Sequence, residues 1–552
     1  MGEQFNVGIV HEQIAAALPD LEFFVFRDRR FTHEQFAERT RRLASYLHGR
    51  GLGCHTERAE LEGHESGQDH LAIYLHNGNE YVESLLGAFK ARVAPFNVNY
   101  RYVADELRYL FGDAKARGVV YHAAFAPTLA AILPELPEVE VLIQVADESG
   151  NALLPGAVDY EEALAASSPE LPPVEASPDD LYILYTGGTT GMPKGVLWRQ
   201  HDIYMAAFGG KPMGSWIPVQ SYDEIVERAV NMRGLDLKLM PMPPLMHGAA
   251  QWGVMQIMSS GGAIVFPPEV VRFDPASVLD TMEREKVRSI AVVGDAMARP
   301  LLDELERRPR DLSQLITFGN GGAQLTAEAK ARVLEHIPQA MILDGVGASE
   351  TGAQMVNMSA GADAEATSGR FTPGPGTVVL DDDLATVLGA GTEGEGWLAQ
   401  VGEVPLGYLG DPDKTRRTFP VIDGQRFSVP GDRAVLRPGG DIDLLGRQAT
   451  TINSGGEKIF AEEVEGAVVT HPAVRDVIVV GRPSERWGQE VVAVLSLQPG
   501  AAVTDEDLAA HAGGHVARYK IPKAWIVVDE VVRSPSGKAD YGWAKAQATA
   551  TP

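Results

Sequence analysis

Apolar positions along the chain come in two rhythms. Short unbroken runs at residues 71–75, 118–121, 181–184 and 289–293 have the length and composition of buried strands. Between them lie segments in which apolar residues recur every three to four positions. Thr32 and Gln35 can form a capping box that opens a helix carrying Phe36, Leu43 and Leu47 on one side and ending near Gly49 or Gly51. A second helical pattern covers residues 81–90. Strands alternating with helices predict an α/β architecture with largely parallel sheets.

Residues 239–268 contain no Asp, Glu, Lys or Arg, which raises the possibility of a membrane segment. Prolines at 241, 243, 244, 267 and 268 remove it. They leave only 245–258 as a helix, too short to cross a bilayer and better suited to a buried position beside an apolar cavity. Residues 55–69 interrupt the pattern and read as a surface loop. His55, His64 and His70 lack metal-ligand spacing, so they are expected to be solvated. Residues 359–368 and the acidic run Asp381, Asp382, Asp383 read as loop and turn.

Near the carboxyl end, strand patterns at 474–480 and 491–497 and a helix pattern at 505–512 suggest a small α+β domain. The polar join at 447–451 divides the chain into residues 1–446 and 447–552. A length of 552 residues agrees with more than one core.

Composition narrows the partners. A net charge of −27 gives no bulk attraction to nucleic acid or an anionic membrane, so any anionic ligand must be captured by local groups. Cys54 is the only cysteine, which excludes an internal disulfide, and it has the setting of a neutral thiol rather than a nucleophile. The first residues carry no export or myristoylation pattern, so the expected location is cytoplasmic. Oligomeric state is not readable, and a homodimer stays open.

One loop carries most of the chemistry. Residues 185–196 read Tyr-Thr-Gly-Gly-Thr-Thr-Gly-Met-Pro-Lys-Gly-Val. Glycines Gly187, Gly188 and Gly191 expose backbone N–H groups, Thr186, Thr189 and Thr190 add hydroxyls, and Lys194 adds a charge beside the stiff Pro193. A phosphate fits such a cradle. The strand pattern at 181–184 places it at a strand's end, where ligand sites of open α/β sheets lie. A Walker P-loop does not fit, because Gly195 stands where the magnesium-binding hydroxyl would follow the lysine.

Further clusters lie far away in sequence. Residues 319–323 and 344–352 are glycine-rich turns that permit close approach to a base or phosphate, and Glu350 can hold a magnesium ion. Asp432 can accept from both ribose hydroxyls, Arg447 can hold a phosphate or ribose oxygen at the join, and Lys538 is a cation on a Ser/Gly turn.

In this order the chain resembles the adenylate-forming superfamily of acyl-CoA synthetases, adenylation domains and firefly luciferase over essentially its whole length. It looks most like actinobacterial fatty-acyl and steroid-side-chain CoA ligases. The resemblance implies a large amino-terminal domain of two doubly wound sheets with a small β-barrel, followed by a smaller mobile α+β lid. It implies ATP, Mg2+ and coenzyme A as cofactor and co-substrates, and a small carboxylic acid as substrate.

The resemblance also carries roles. Residues 186–194 match the loop that contacts the β- and γ-phosphates. Gly321, Gly322 and Ala323, with Asp344, Gly345, Val346 and Gly347, match the segments enclosing adenine. Ser349 and Glu350 match the hydroxyl and acid that help bind phosphate and magnesium, and Asp432 matches the ribose aspartate. Arg447 matches the arginine at the joint, and Lys538 the lysine contacting the carboxylate and α-phosphate. His247 matches a position lining the acyl pocket; Ser454, Gly455 and Gly456 match the segment that lines the CoA channel with Gly347.

The implied reaction forms acyl-AMP and pyrophosphate, then moves the acyl group to CoA after the lid rotates. Val346 stands where an aromatic residue commonly stacks on adenine, Gly187 replaces a usual serine, and Ala449 occupies a hinge position that is often Asp or Lys. Two other readings remain: a fatty-acyl-AMP ligase that loads a carrier protein, and an inactive nucleotide-binding homologue. Met240, Met242, Met246, Met255 and Met258 offer an adaptable lining where they face the pocket, and simple core where they do not. With the resemblance, they lean toward a long-chain fatty acid or a steroid side-chain acid.

Overall fold

Strand His70–Tyr74 is buried at every position because helices cover both faces of the sheet in which it lies. It pairs in parallel with Ala94–Asn97 on one side and Ala116–His122 on the other. Ala94–Asn97 in turn runs parallel to Leu181–Gly188, and the latter turns back as a hairpin with Gly191–Arg199. These strands belong to an eight-stranded sheet. The computed structural model describes residues 2–550 except 189–190, 213–215, 362–368, 390–393, 448–449, 455–456, 485–487, 517 and 534–538.

A second sheet begins with parallel strands Glu22–Phe26, Ala263–Phe266, Lys238–Pro241, Ser289–Val292, Thr317–Gly321 and Met341–Ala348. Gly352–Ala360 then pairs antiparallel. The pairing continues through Arg370–Pro373 into Ile442–Arg447 and Asp432–Leu436, making 15 strands in all. The resemblance placed a small closed barrel here. Among the described residues the ladder stays open and is continuous with the second sheet. The carboxyl-terminal region has its own five-stranded sheet, built mainly on the long hairpin Val474–Ser484 and Gly488–Leu497.

The first two sheets share a core. Helix Asn79–Lys90 is buried over its whole length, and Gly87 lies so close to helix His33–Gly49 that an added Cβ would stand 2.9 Å from Leu43 Cδ2. The predicted capping box is present, with the Gln35 N–H donating to Thr32 Oγ1 and the Thr32 N–H to Gln35 Oε1. Glu83 is buried in this core. It is tolerated because Arg39 donates at 2.8 Å, Asn79 at 2.9 Å and the Tyr160 hydroxyl at 2.7 Å.

Several expectations are corrected. His70 is not solvated: it occupies the first position of its strand, with Nδ1 against the Ala114 carbonyl and Nε2 against Ser66 Oγ. The helix expected at 245–258 runs Gly248–Ser259, because Leu245 and Met246 are tied into the first sheet. Residues 344–347 lie within a strand rather than a turn, as do Gly319 to Gly321, since strand neighbours on both sides satisfy their backbones. Ser359 and Ala360 end the strand Gly352–Ala360, and the rest of that expected loop lies outside the described residues except Gly361. Met240, Met255 and Met258 are fully buried in the cores.

Burial also sets an acid limit. Burial depresses the imidazole of His33 to about 4 and lowers that of His11 well below its ordinary value, with both rings packed on Phe23. The unfolded chain binds these protons first, so stability is complete above about pH 6.5 and is lost as pH falls from there to 4. His33 alone is expected to cost roughly 3 kcal/mol by pH 4. Thermal melting followed between pH 7.5 and 4 checks this, and a transition temperature that stays flat over that interval would contradict it.

Candidate active site

The phosphate-type loop is the tip of the hairpin Leu181–Gly188 and Gly191–Arg199, so its backbone is presented by two strands of a buried sheet. Thr189 and Thr190 lie outside the described residues. Thr186 pairs across the hairpin with Lys194, which puts hydroxyl and cation side by side. Lys194 Nζ stands 3.6 Å from Asp113 Oδ1 and 4.0 Å from Asp411 Oδ2. Burial by itself would lower its pKa, but the Tyr109 hydroxyl and the Asp113 carboxylate outweigh that and raise it. Lys194 is therefore charged at neutral pH. Tyr185, at the base, donates its hydroxyl to Asp113 at 2.8 Å.

Glu350 is drawn to this hairpin by two ties. Trp198 Nε1 donates to the Ser349 carbonyl at 2.8 Å, and the Tyr408 hydroxyl donates to Glu350 Oε1 at 2.8 Å. Tyr408 itself pairs with Val196, two residues beyond Lys194. Ser428 donates to the Glu350 carbonyl at 2.5 Å and so links it to the segment leading to Asp432. Asp432 follows Gly431, whose φ of +104° makes the turn, and it pairs across the ladder with Arg447. The Arg447 side chain, like Gly455, Gly456, Ala449 and Lys538, lies outside the described residues. Ser454 sits in the lid sheet, opposite Glu457 and Gly488, apart from this set.

The expected adenine segments are neighbours. Gly321 pairs with Gly345, and Asn320 joins the two strands by donating to Asp344 Oδ1 at 2.7 Å and to the Ala323 carbonyl at 2.9 Å. The buried Lys330 ammonium lies 2.8 Å from Asp344 Oδ2. Both oxygens of the Asp344 carboxylate are thus engaged inside the fold, one by Asn320 and the other by Lys330. Val346 packs against the small core of Met355 and Phe371. Gly347 must be glycine, since a Cβ there would collide with the Gly352 carbonyl. The small carboxyl-terminal domain touches the segment just past Ala323: its helix Ala461–Val469 brings Gly466 against Gln324, where a Cβ would be 3.3 Å from Nε2.

No group of three His, Cys, Asp or Glu able to hold a metal occurs among the described residues. A single carboxylate near hydroxyls still fits magnesium, which takes one or two carboxylates and completes its shell with phosphate oxygens and water. Glu350, only 9% exposed and hydrogen-bonded by the Tyr408 hydroxyl, is a carboxylate of the kind such a site needs.

Asp113, Tyr408 and Asp411 stand beside Lys194 and Glu350 and were not found from sequence. None belongs to a motif of its own; each matters only for what it touches.

A glycine-rich hairpin with a charged lysine, and an acid tied to that hairpin through Trp198 and Tyr408, are features of a nucleotide-using enzyme. The chain belongs to the AMP-binding enzyme family: the family's profile matches residues 11–409, and that of the AMP-binding enzyme C-terminal domain matches 463–538. It is 59% identical to the medium-chain acyl-CoA ligase Mig of Mycobacterium avium over 99% of this chain and 98% of that protein. It is 38% identical to the 3-oxocholest-4-en-26-oate–CoA ligase of Rhodococcus rhodochrous, covering 98% and 96% of the two chains. The fold matches the anthranilate CoA ligase AuaEII in complex with anthranoyl-AMP, with a TM-score of 0.82 at 20% identity over 99% and 98% of the chains. No helix among the described residues is long and apolar enough to cross a membrane.

Proposed function

We propose that this chain is an ATP-dependent, AMP-forming acyl-CoA ligase for an apolar carboxylic acid. The observation that carries the reading is the pair of ties on Glu350: Tyr408, whose strand pairs beside Lys194, holds its carboxylate, and Ser428, in the segment leading to Asp432, holds its carbonyl. The family match and the ligases at 59% and 38% identity support it.

In the first half-reaction the acid's carboxylate oxygen attacks the α-phosphorus and pyrophosphate leaves. Thr186, Lys194 and the hairpin's N–H groups hold the leaving β- and γ-phosphates, spreading the charge that gathers on them. Lys538 offsets charge on the α-phosphate and carboxylate. Asp432 fixes the ribose, and Gly321, Gly322, Ala323, Gly345, Val346 and Gly347 enclose adenine, with Val346 in apolar contact. Glu350 and Ser349 would hold Mg2+, which neutralises phosphate charge when bound. In the second half-reaction CoA passes Ser454, Gly455, Gly456 and Gly347 to reach the acyl carbon, and AMP leaves. Residues 1–446 form the adenylation domain and 447–552 the lid, with Arg447 at the joint. The enzyme works in the cytoplasm, and a homodimer is its proposed assembly.

Because the ligase at 59% identity is described as a medium-chain acyl-CoA ligase, medium-chain fatty acids are the proposed substrates ahead of long-chain and steroid side-chain acids. Thioester formation with free CoA, measured over acids of graded length and ring content, is expected to give a kcat/KM at least about tenfold higher for medium-chain acids than for a steroid side-chain acid. Accumulation of acyl-AMP without CoA product would point instead to loading of a carrier protein. Absence of carboxylate-dependent pyrophosphate exchange would indicate an inactive homologue.

A further inference from the structure

Asn97 closes strand Ala94–Asn97 and is 6% exposed. Its carboxamide spans two segments about sixty residues apart in sequence. Nδ2 donates to the Tyr185 carbonyl at 2.9 Å and to the Met246 carbonyl at 2.7 Å, while Oδ1 accepts the Tyr185 N–H at 2.8 Å. Tyr185 immediately precedes Thr186 at the base of the phosphate hairpin. Met246 immediately precedes His247 and the helix that starts at Gly248. A few residues past the end of the neighbouring strand, Asn77 holds the same segment from the other side, accepting the Leu245 N–H at 2.7 Å and donating to the Pro243 carbonyl at 3.4 Å.

Only an amide of this length meets the requirement. Two carbonyls on opposite segments need two donors from one nitrogen, and the Tyr185 N–H needs an acceptor on the same side chain. Aspartate would present a carboxylate to two carbonyl oxygens, and serine has one donor too close to its own backbone. The segment also seats tightly on the strand, since a Cβ at Gly248 would stand 2.7 Å from Leu184 Cδ2. The base of the hairpin and the start of the apolar helix therefore move as one body.

We propose that Asn97 is a positioning residue for acid activation: it sets the spacing between the grip on the leaving pyrophosphate and the histidine-bearing segment beside the acid. The proposal rests on the roles given above to residues 186–194 and His247. In-line attack requires the carboxylate oxygen and the α-phosphorus at near-attack distance, and a misplacement of about 1 Å costs about a hundredfold in rate. Transfer from acyl-AMP to CoA has no such requirement, because pyrophosphate has already gone.

The test compares the two half-reactions in Asn97→Ala and Asn97→Ser, using the full-length enzyme. Carboxylate-dependent pyrophosphate exchange is expected to fall by about thirtyfold or more in kcat, while thioester formation from supplied acyl-AMP stays within about threefold. Asn77→Ala, which leaves Tyr185 anchored, is expected to give the same asymmetry at smaller size. A folded Asn97 variant with equal losses in both half-reactions, or with exchange near wild type, would overturn the proposal. So would failure of both Asn97 variants to fold, which would make it a residue of stability alone. A wild-type enzyme without carboxylate-dependent exchange would sink the ligase reading itself, independently of Asn97.

Discussion

Lys538→Ala is expected to lower carboxylate-dependent pyrophosphate exchange by about 10²- to 10³-fold, the usual loss when one group that stabilises developing charge is removed. Thioester formation from preformed acyl-AMP should change far less, because no phosphoryl bond is then being made. Lys538 lies outside the described residues, but the residues on either side of 534–538 are tied together. Arg533 and Ala539 bridge antiparallel across that segment, and Arg533 Nε donates to Asp476 Oδ2 at 2.7 Å in the lid core. Truncating the side chain leaves those ties untouched, so a change in melting temperature is not expected. Rapid-quench measurement of each half-reaction decides the matter, and equal losses in both would remove Lys538 from the adenylation step.

Glu350→Gln has the second largest expected effect. The Tyr408 hydroxyl can still donate to the amide oxygen, and the Ser428 hydrogen bond goes to the backbone, so the variant should fold as the parent does. What it loses is a negative charge on a nearly buried side chain. A magnesium titration of adenylation is expected to show the half-saturating concentration rising and kcat/KM for ATP falling by about 10- to 100-fold, at least the loss seen when groups around a metal are disturbed. An unchanged magnesium dependence would move the metal away from Glu350. Tyr408→Phe separates aim from charge, and a smaller loss of the same kind is expected there.

Much of the molecule was legible in its residues. The capping box of Thr32 and Gln35, the strand runs, and the hairpin Val474–Ser484 with Gly488–Leu497 rest on local signals, namely periodicity and caps, and the structure carries them within a few residues. The chemistry of residues 186–194 was equally local, since three glycines, three threonines and a lysine suit little besides an anion. The errors were of one kind. Residues 344–347 and Gly319 to Gly321 read as turns because glycine usually marks one, yet strands on both sides hold them extended. His70 read as solvated because its neighbours are polar, yet the next strand buries it.

The sequence alone narrowed the chemistry to carboxylate activation at a nucleotide, because groups suited to phosphate, ribose and magnesium must be of particular kinds, and those kinds, in an order that resembles the adenylate-forming enzymes, are visible as letters. Tertiary structure decided how they are held. Tyr408 aims Glu350, Asp113 attends Lys194, Lys330 takes the carboxylate of Asp344, and Asn97 ties the hairpin to the apolar helix. These partners lie up to 149 residues away from what they serve, and a single hydrogen bond between side chain and distant backbone leaves no periodicity or spacing in the chain. Only the packing of strands and helices from distant parts of the chain brings them within 4 Å.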